Sequence, residues 1–283
     1  MVDSELSTRN GWQRFWDRGG WWKALGLAIV YLALYEGFAL LTAPLALQYI
    51  DPDNIFATPE SVFFGLGFPI LFGGLVLLAF IWSLRWQREI FGRQPIKGSA
   101  WMWIAVVVII VPIVLRAAGT DWSQYSVSVV LVALLCGLFI GFAEEVLTRG
   151  LAVNLLRRAG YGEKLVMILS SLVFALLHSV NILNGQPLVV VAVTVVYTFG
   201  FGVMMYLVLR VTGHIIWPIL LHAATDPTTF LATGGIDAHT DSAGSAALIS
   251  AAGIFNWLYL LFAIVAIILV KGKVYIDRSP RLR

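Results

Sequence analysis

Gly141 to Arg149 reads GFAEEVLTR, two adjacent carboxylates and an arginine inside an otherwise apolar run. Ionisable groups are expensive to bury in lipid, usually face a bundle interior, and by default mark a functional site. The residues around the stretch decide the fold. It lies in one of several apolar windows of about 20 residues, each long enough to cross roughly 30 Å of hydrocarbon as a helix.

Composition agrees: 59% of the 283 residues are hydrophobic and 12% are charged, against about a quarter charged in soluble domains. Backbone groups in lipid must be satisfied internally, and no alternating pattern of barrel strands occurs, so the spans are helical. The sequence therefore predicts an all-α protein, a polytopic membrane bundle of about eight transmembrane helices. Residues 1–20 form a polar segment whose Trp12, Phe15 and Trp16 suit an interfacial helix. Residues 21–270 form the transmembrane domain, with the site-bearing core at about 126–230, and 271–283 form a basic tail. The net charge of +3 is spread over span ends and reports orientation, so no nucleic-acid partner is expected. Cys136 is the only cysteine and leaves no intrachain disulfide. The first twenty residues lack the apolar core and cleavage site of a removable signal peptide.

Spans are expected at about Trp21–Ile50, Ser61–Trp86, Ser99–Ala118, Ser126 onward through the opening motif, Lys164–Leu183, Leu188–Arg210, Gly213–Pro227 and Ala246–Val270. The seventh is short enough to be re-entrant. Arg85, Arg88, Arg93 and Lys97 fall in one loop, Arg157, Arg158 and Lys164 in another. Lys271, Lys273, Arg278, Arg281 and Arg283 fall in the tail. Loops with Asp51, Asp53 and Glu60, with Asp121, and with Asp237 and Asp241 lack such clusters. This alternation predicts an integral protein of a cell (inner) membrane with both termini cytoplasmic. Arg116 lies close enough to its span end to snorkel outward. Trp86, Trp101, Trp122 and Trp217 read as interfacial anchors. Gly200 and Gly202 mark a place for close helix approach.

At about 1.5 Å per residue, Glu144 lies roughly 20 Å along its helix from Arg157, His178 roughly 21 Å from Lys164, and His222 roughly 18 Å from Arg210. Three spans thus bring polar groups to one level. Glu145 and Arg149, four apart, can pair as a structural element, while Glu144 is turned about 100° away and left free. His222 and Asp226 share a face, and Pro227 tends to end or kink their helix. Glu36 falls at a similar depth and could face the same cavity.

Two chemistries fit. Glu144 can act as general base on water, with His178 sharing the proton and His222 and Asp226 supporting an oxyanion. Alternatively Glu144, His178 and His222 ligate a metal, zinc being the candidate, whose bound water attacks. No cofactor is required by the first. A transporter or channel using the same charges as a proton or ion path, and a silent membrane scaffold or immunity protein, are the competing classes.

EEVLTR at Glu144–Arg149, FALLH at Phe174–His178 and HAATD at His222–Asp226 resemble the EExxxR, FxxxH and HxxxN/D motifs of the CPBP intramembrane proteases, the CAAX protease and bacteriocin-processing (Abi) family. The resemblance spans about Cys136–Phe230. It implies an eight-helix intramembrane endopeptidase, glutamate-type or metalloprotease, whose site opens to the cytoplasm. The implied substrate is a prenylated (CAAX-type) or other membrane-associated peptide or protein, with lipids as surroundings. It implies Glu144 as catalytic glutamate, His178 as water-activating histidine, His222 with Asp226 at the oxyanion, and Glu145 with Arg149 as support. Asp226 stands where CAAX-processing relatives carry Asn. An ionised Asp cannot donate a hydrogen bond, so an oxyanion role requires it protonated.

Overall fold

The computed structural model describes residues 9–183, 185–234 and 244–275. A short helix, α1 (Gly11–Asp17), precedes α2 (Trp21–Tyr49), α3 (Pro59–Leu84) and the short α4 (Gln87–Phe91). The chain continues through α5 (Ala100–Gly119), α6 (Val127–Arg158), α7 (Glu163–Ile182) and α8 (Leu188–Thr212). It then forms α9 (Ile216–Thr233) and α10 (Ala246–Leu269). The protein is an all-α polytopic membrane bundle. Among the described residues, seven helices are long and apolar enough to cross a membrane. The remaining long helix, α9, is diluted by His222, Asp226 and four threonines.

Local chemistry sets the boundaries. Thr58 caps α3 by accepting from Ser61 N, with Pro59 in the first turn where its missing N–H costs nothing. Ser126 caps α6 through Val129 N. Gly213, at φ 77°, ends α8 in the left-handed conformation that only glycine adopts freely.

Basic residues at one end of the bundle do more than report orientation. Arg157 Nε and Nη2 donate to Glu163 at 2.8 and 2.7 Å, and Tyr206 Oη donates to the same carboxylate at 2.5 Å. Arg210 Nη1 adds a 3.2 Å bond, and its Nη2 reaches Lys97 O at 3.1 Å. These bonds tie α6, α7, α8 and the loop before α5 together at a common end, the end that the loop charges assign to one side of the membrane.

Three expectations are corrected. Trp86 is not an interfacial anchor: it is fully buried, donates to Asp17 at 3.2 Å and lies under the Arg158 guanidinium. Arg116 does not snorkel outward but is buried. Pro227 does not end its helix, because α9 continues to Thr233. Threonine hydroxyls in the turn around the proline bond carbonyls of the same helix, Thr228 to Ala224 O at 2.7 Å and Thr229 to Thr225 O at 2.7 Å. The N-terminal helix α1 packs on α3, with Trp16 edge-on to Phe80 at 4.9 Å. Asp237, Asp241, Arg278, Arg281 and Arg283 lie outside the described residues.

Candidate active site

α6 and α9 build the site by packing closely. Their contact runs along Gly137 and Gly141, four residues apart on α6. A Cβ at Gly137 would lie 2.6 Å from Ala223 O and 2.2 Å from Pro227 Cγ, and one at Gly141 would lie 2.6 Å from Ile219 O. Only glycine allows the backbones this close. The next turn of α6 carries Glu144 and Glu145, opposite the turn of α9 carrying His222. From Val146 to Ala152 the helix widens into a π segment whose seven residues are all buried. Such bulges recur at functional sites because they re-aim side chains without ending the helix.

The two glutamates have different surroundings. Glu145 is fully buried: its Oε1 accepts from His222 Nδ1 at 2.8 Å, and its Oε2 faces Arg149 Nε at 3.2 Å. That ion-pair contact is too bent to count as a hydrogen bond. Arg149 is also buried, donates through Nη2 to Gly202 O at 2.9 Å and through Nη1 to Thr148 Oγ1, and lies 4.5 Å above the Phe174 ring. A Cβ at Gly202 would come within 3.1 Å of that guanidinium, so the glycine makes room for it. Glu144, by contrast, keeps 21% of its side chain exposed and stands 3.8 Å from His222 Nε2. Asp226 is equally exposed and stands 3.5 Å from the same nitrogen.

His222 is thus fixed on one nitrogen and faces two carboxylates with the other. Phe201 and Phe174 flank its ring at 5.1 and 5.7 Å between centroids. His178 ends the α-helical part of α7, with Nδ1 3.2 Å from Phe174 O and its ring 5.1 Å from Phe174. It acts electrostatically on Glu144 but makes no direct hydrogen bond to Glu144 or His222. The structure therefore gathers Glu144, Glu145, Arg149, His222 and Asp226 in direct contact and places His178 one ring away.

Glu36 is half-buried and neighbours Tyr35, with no ion pair to His222. Two features escaped the sequence reading. The bond from His222 to Glu145 joins residues 77 apart, which no spacing rule anticipates. Tyr31 on α2 is 5% exposed, feels the charge of Glu144, and leaves its hydroxyl without a hydrogen-bond partner.

Among the described residues, no group of three or more His, Cys, Asp or Glu side chains is placed to hold a metal ion. Glu145 holds Nδ1 of His222 and leaves Nε2 as the open ring nitrogen, and His178 stands apart from it.

Residues 126–228 match the model of a protein family described as type II CAAX prenyl endopeptidase Rce1-like. The matched segment starts at the cap of α6 and ends in α9 just past Asp226, so it holds all three motifs and agrees with their resemblance to the CAAX protease family. No curated protein and no solved structure matches the chain.

Proposed function

We propose that this integral membrane protein is a CAAX-type intramembrane endopeptidase in which Glu144 activates a water molecule. The observation that carries the reading is the unequal treatment of the paired carboxylates. Glu145 is held by Arg149 and His222, while Glu144 keeps a face open beside His222 Nε2.

In the proposed reaction Glu144 removes a proton from water, and the oxygen attacks the carbonyl carbon of the scissile peptide bond. His178, within electrostatic reach of Glu144, orients that water. Because Glu145 accepts from Nδ1, His222 offers an Nε2–H to the developing oxyanion as an imidazolium, with the surrounding carboxylates as counter-charge. Asp226 stands beside the same nitrogen, and any hydrogen bond it gives to that oxygen requires a proton on its carboxyl group. Collapse of the intermediate breaks the C–N bond, and the proton held by Glu144 passes to the leaving amine. One water is consumed, and a new carboxylate and a new amine are formed.

A groove of about 530 Å³ runs beside this site, lined by Ile70, Gly74, Leu138, Phe142 and Ile219. Ile219 lies one helical turn before His222, so the groove adjoins the helix that carries the histidine. That supports a prenylated substrate, approached from the cytoplasmic side.

The test is mass spectrometry of a prenylated C-terminal peptide incubated with the purified protein in lipid, with chelator present. Release of the fragment after the modified cysteine is expected. Absence of cleavage, together with Glu144-dependent ion flux in liposomes, would overturn the reading in favour of a transporter.

A further inference from the structure

Arg116, on α5, is 7% exposed, and its Nη1 has no hydrogen-bond partner. It forms no ion pair with any described residue. A buried arginine with no ion-pair contact is costly, so it needs an explanation. Tyr259 of α10, 2% exposed, presents a second unsatisfied donor, its hydroxyl, in the electrostatic neighbourhood of the same guanidinium. Asp226 is a further neighbour of Arg116, and α5 packs against both α9 and α10. Two orphaned donors on different helices therefore converge beside the candidate active site, and both suit an anionic oxygen ligand.

The spacing is compatible with a short peptide between the two sites. Ring centroids step 5.1 Å from His222 to Phe201 and 5.7 Å from Phe201 to Tyr259, and the two steps together bound the distance from His222 to Tyr259. An extended tripeptide covers about 10 Å. A CAAX sequence ends three residues after its prenylated cysteine, so cleavage at that cysteine leaves three residues and a free carboxylate. We propose that Arg116 and Tyr259 bind the C-terminal carboxylate of the substrate and set the cleavage point three residues from the chain end. The proposal rests on the endopeptidase reading for its substrate, but the site binds a peptide carboxylate whether or not hydrolysis follows.

The test is isothermal titration calorimetry of the purified full-length protein in detergent with the tripeptide Val-Leu-Met as free acid and as C-terminal amide. The acid is expected to bind wild type at least about tenfold more tightly than the amide, the worth of one charged hydrogen bond. Arg116→Gln should abolish that preference and Tyr259→Phe should weaken it. Arg116→Lys, which keeps the charge, should retain part of it, and Tyr259→Phe with Arg116→Lys decides the matter if Arg116→Gln does not fold. Equal binding of acid and amide, no binding of the acid, or an undiminished preference in folded Arg116→Gln would overturn the proposal. A preference for the acid without any peptide cleavage would sink the endopeptidase reading and leave the anchor standing. Cleavage without that preference would do the reverse.

Discussion

Glu145 and Arg149 show how a buried charge can serve a site without doing its chemistry. Neither is measurably exposed, and their mutual attraction offsets a desolvation cost that either alone could not meet. Arg149→Met should therefore lower stability by ~3–5 kcal/mol, because it leaves Glu145 uncompensated, and thermal denaturation in detergent reads the loss. Adding Glu145→Gln should restore most of it, since the amide oxygen still accepts from His222 Nδ1. Asp226 obeys a different rule, because its proposed role needs a donor and an amide is one. Asp226→Asn should keep cleavage within about tenfold of wild type, whereas Asp226→Leu should lose about 10²–10³-fold, as removal of an oxyanion donor does. Initial rates with the prenylated peptide distinguish the two.

The decisive element contact is that of α6 with α9, and it depends on the absence of side chains at Gly137 and Gly141. Gly137→Ala should cost ~1–3 kcal/mol by overpacking and reduce cleavage, because moving α9 outward moves His222 off Glu145. Gly37→Ala, where nothing lies within 4 Å, should leave the melting temperature unchanged or raise it. At this scale the sequence was legible where its period was simple. Long apolar windows placed the helices to within a few residues, and four-residue spacings gave the Glu145–Arg149 and His222–Asp226 neighbours. Contacts across helices were not legible: the hold of Glu145 on His222 and the inward turn of Arg116 depend on helix rotation, which apolar windows do not encode. Pro227 misled because a proline in a membrane helix packed against its neighbours need not end it.

For the whole molecule, the clamp of Arg157, Glu163, Tyr206 and Arg210 unites the ends of α6, α7 and α8, as alternating crossings require. Cys136 is 1% exposed and is the only cysteine, so introduced cysteines can be labelled selectively. Asp53→Cys and Ser123→Cys should react with an impermeant reagent applied from outside intact cells, and Lys97→Cys only after permeabilisation. Lys97→Cys reacting from outside would reverse the assigned orientation. The central claim is that one carboxylate in this bundle activates water, and the most direct measurement is the single-turnover rate of Glu144→Gln in proteoliposomes beside wild type, with matched melting temperatures. A fall of about 10²-fold or more is predicted, the usual contribution of a positioned general base. Cleavage at the wild-type rate by the folded variant would contradict the account.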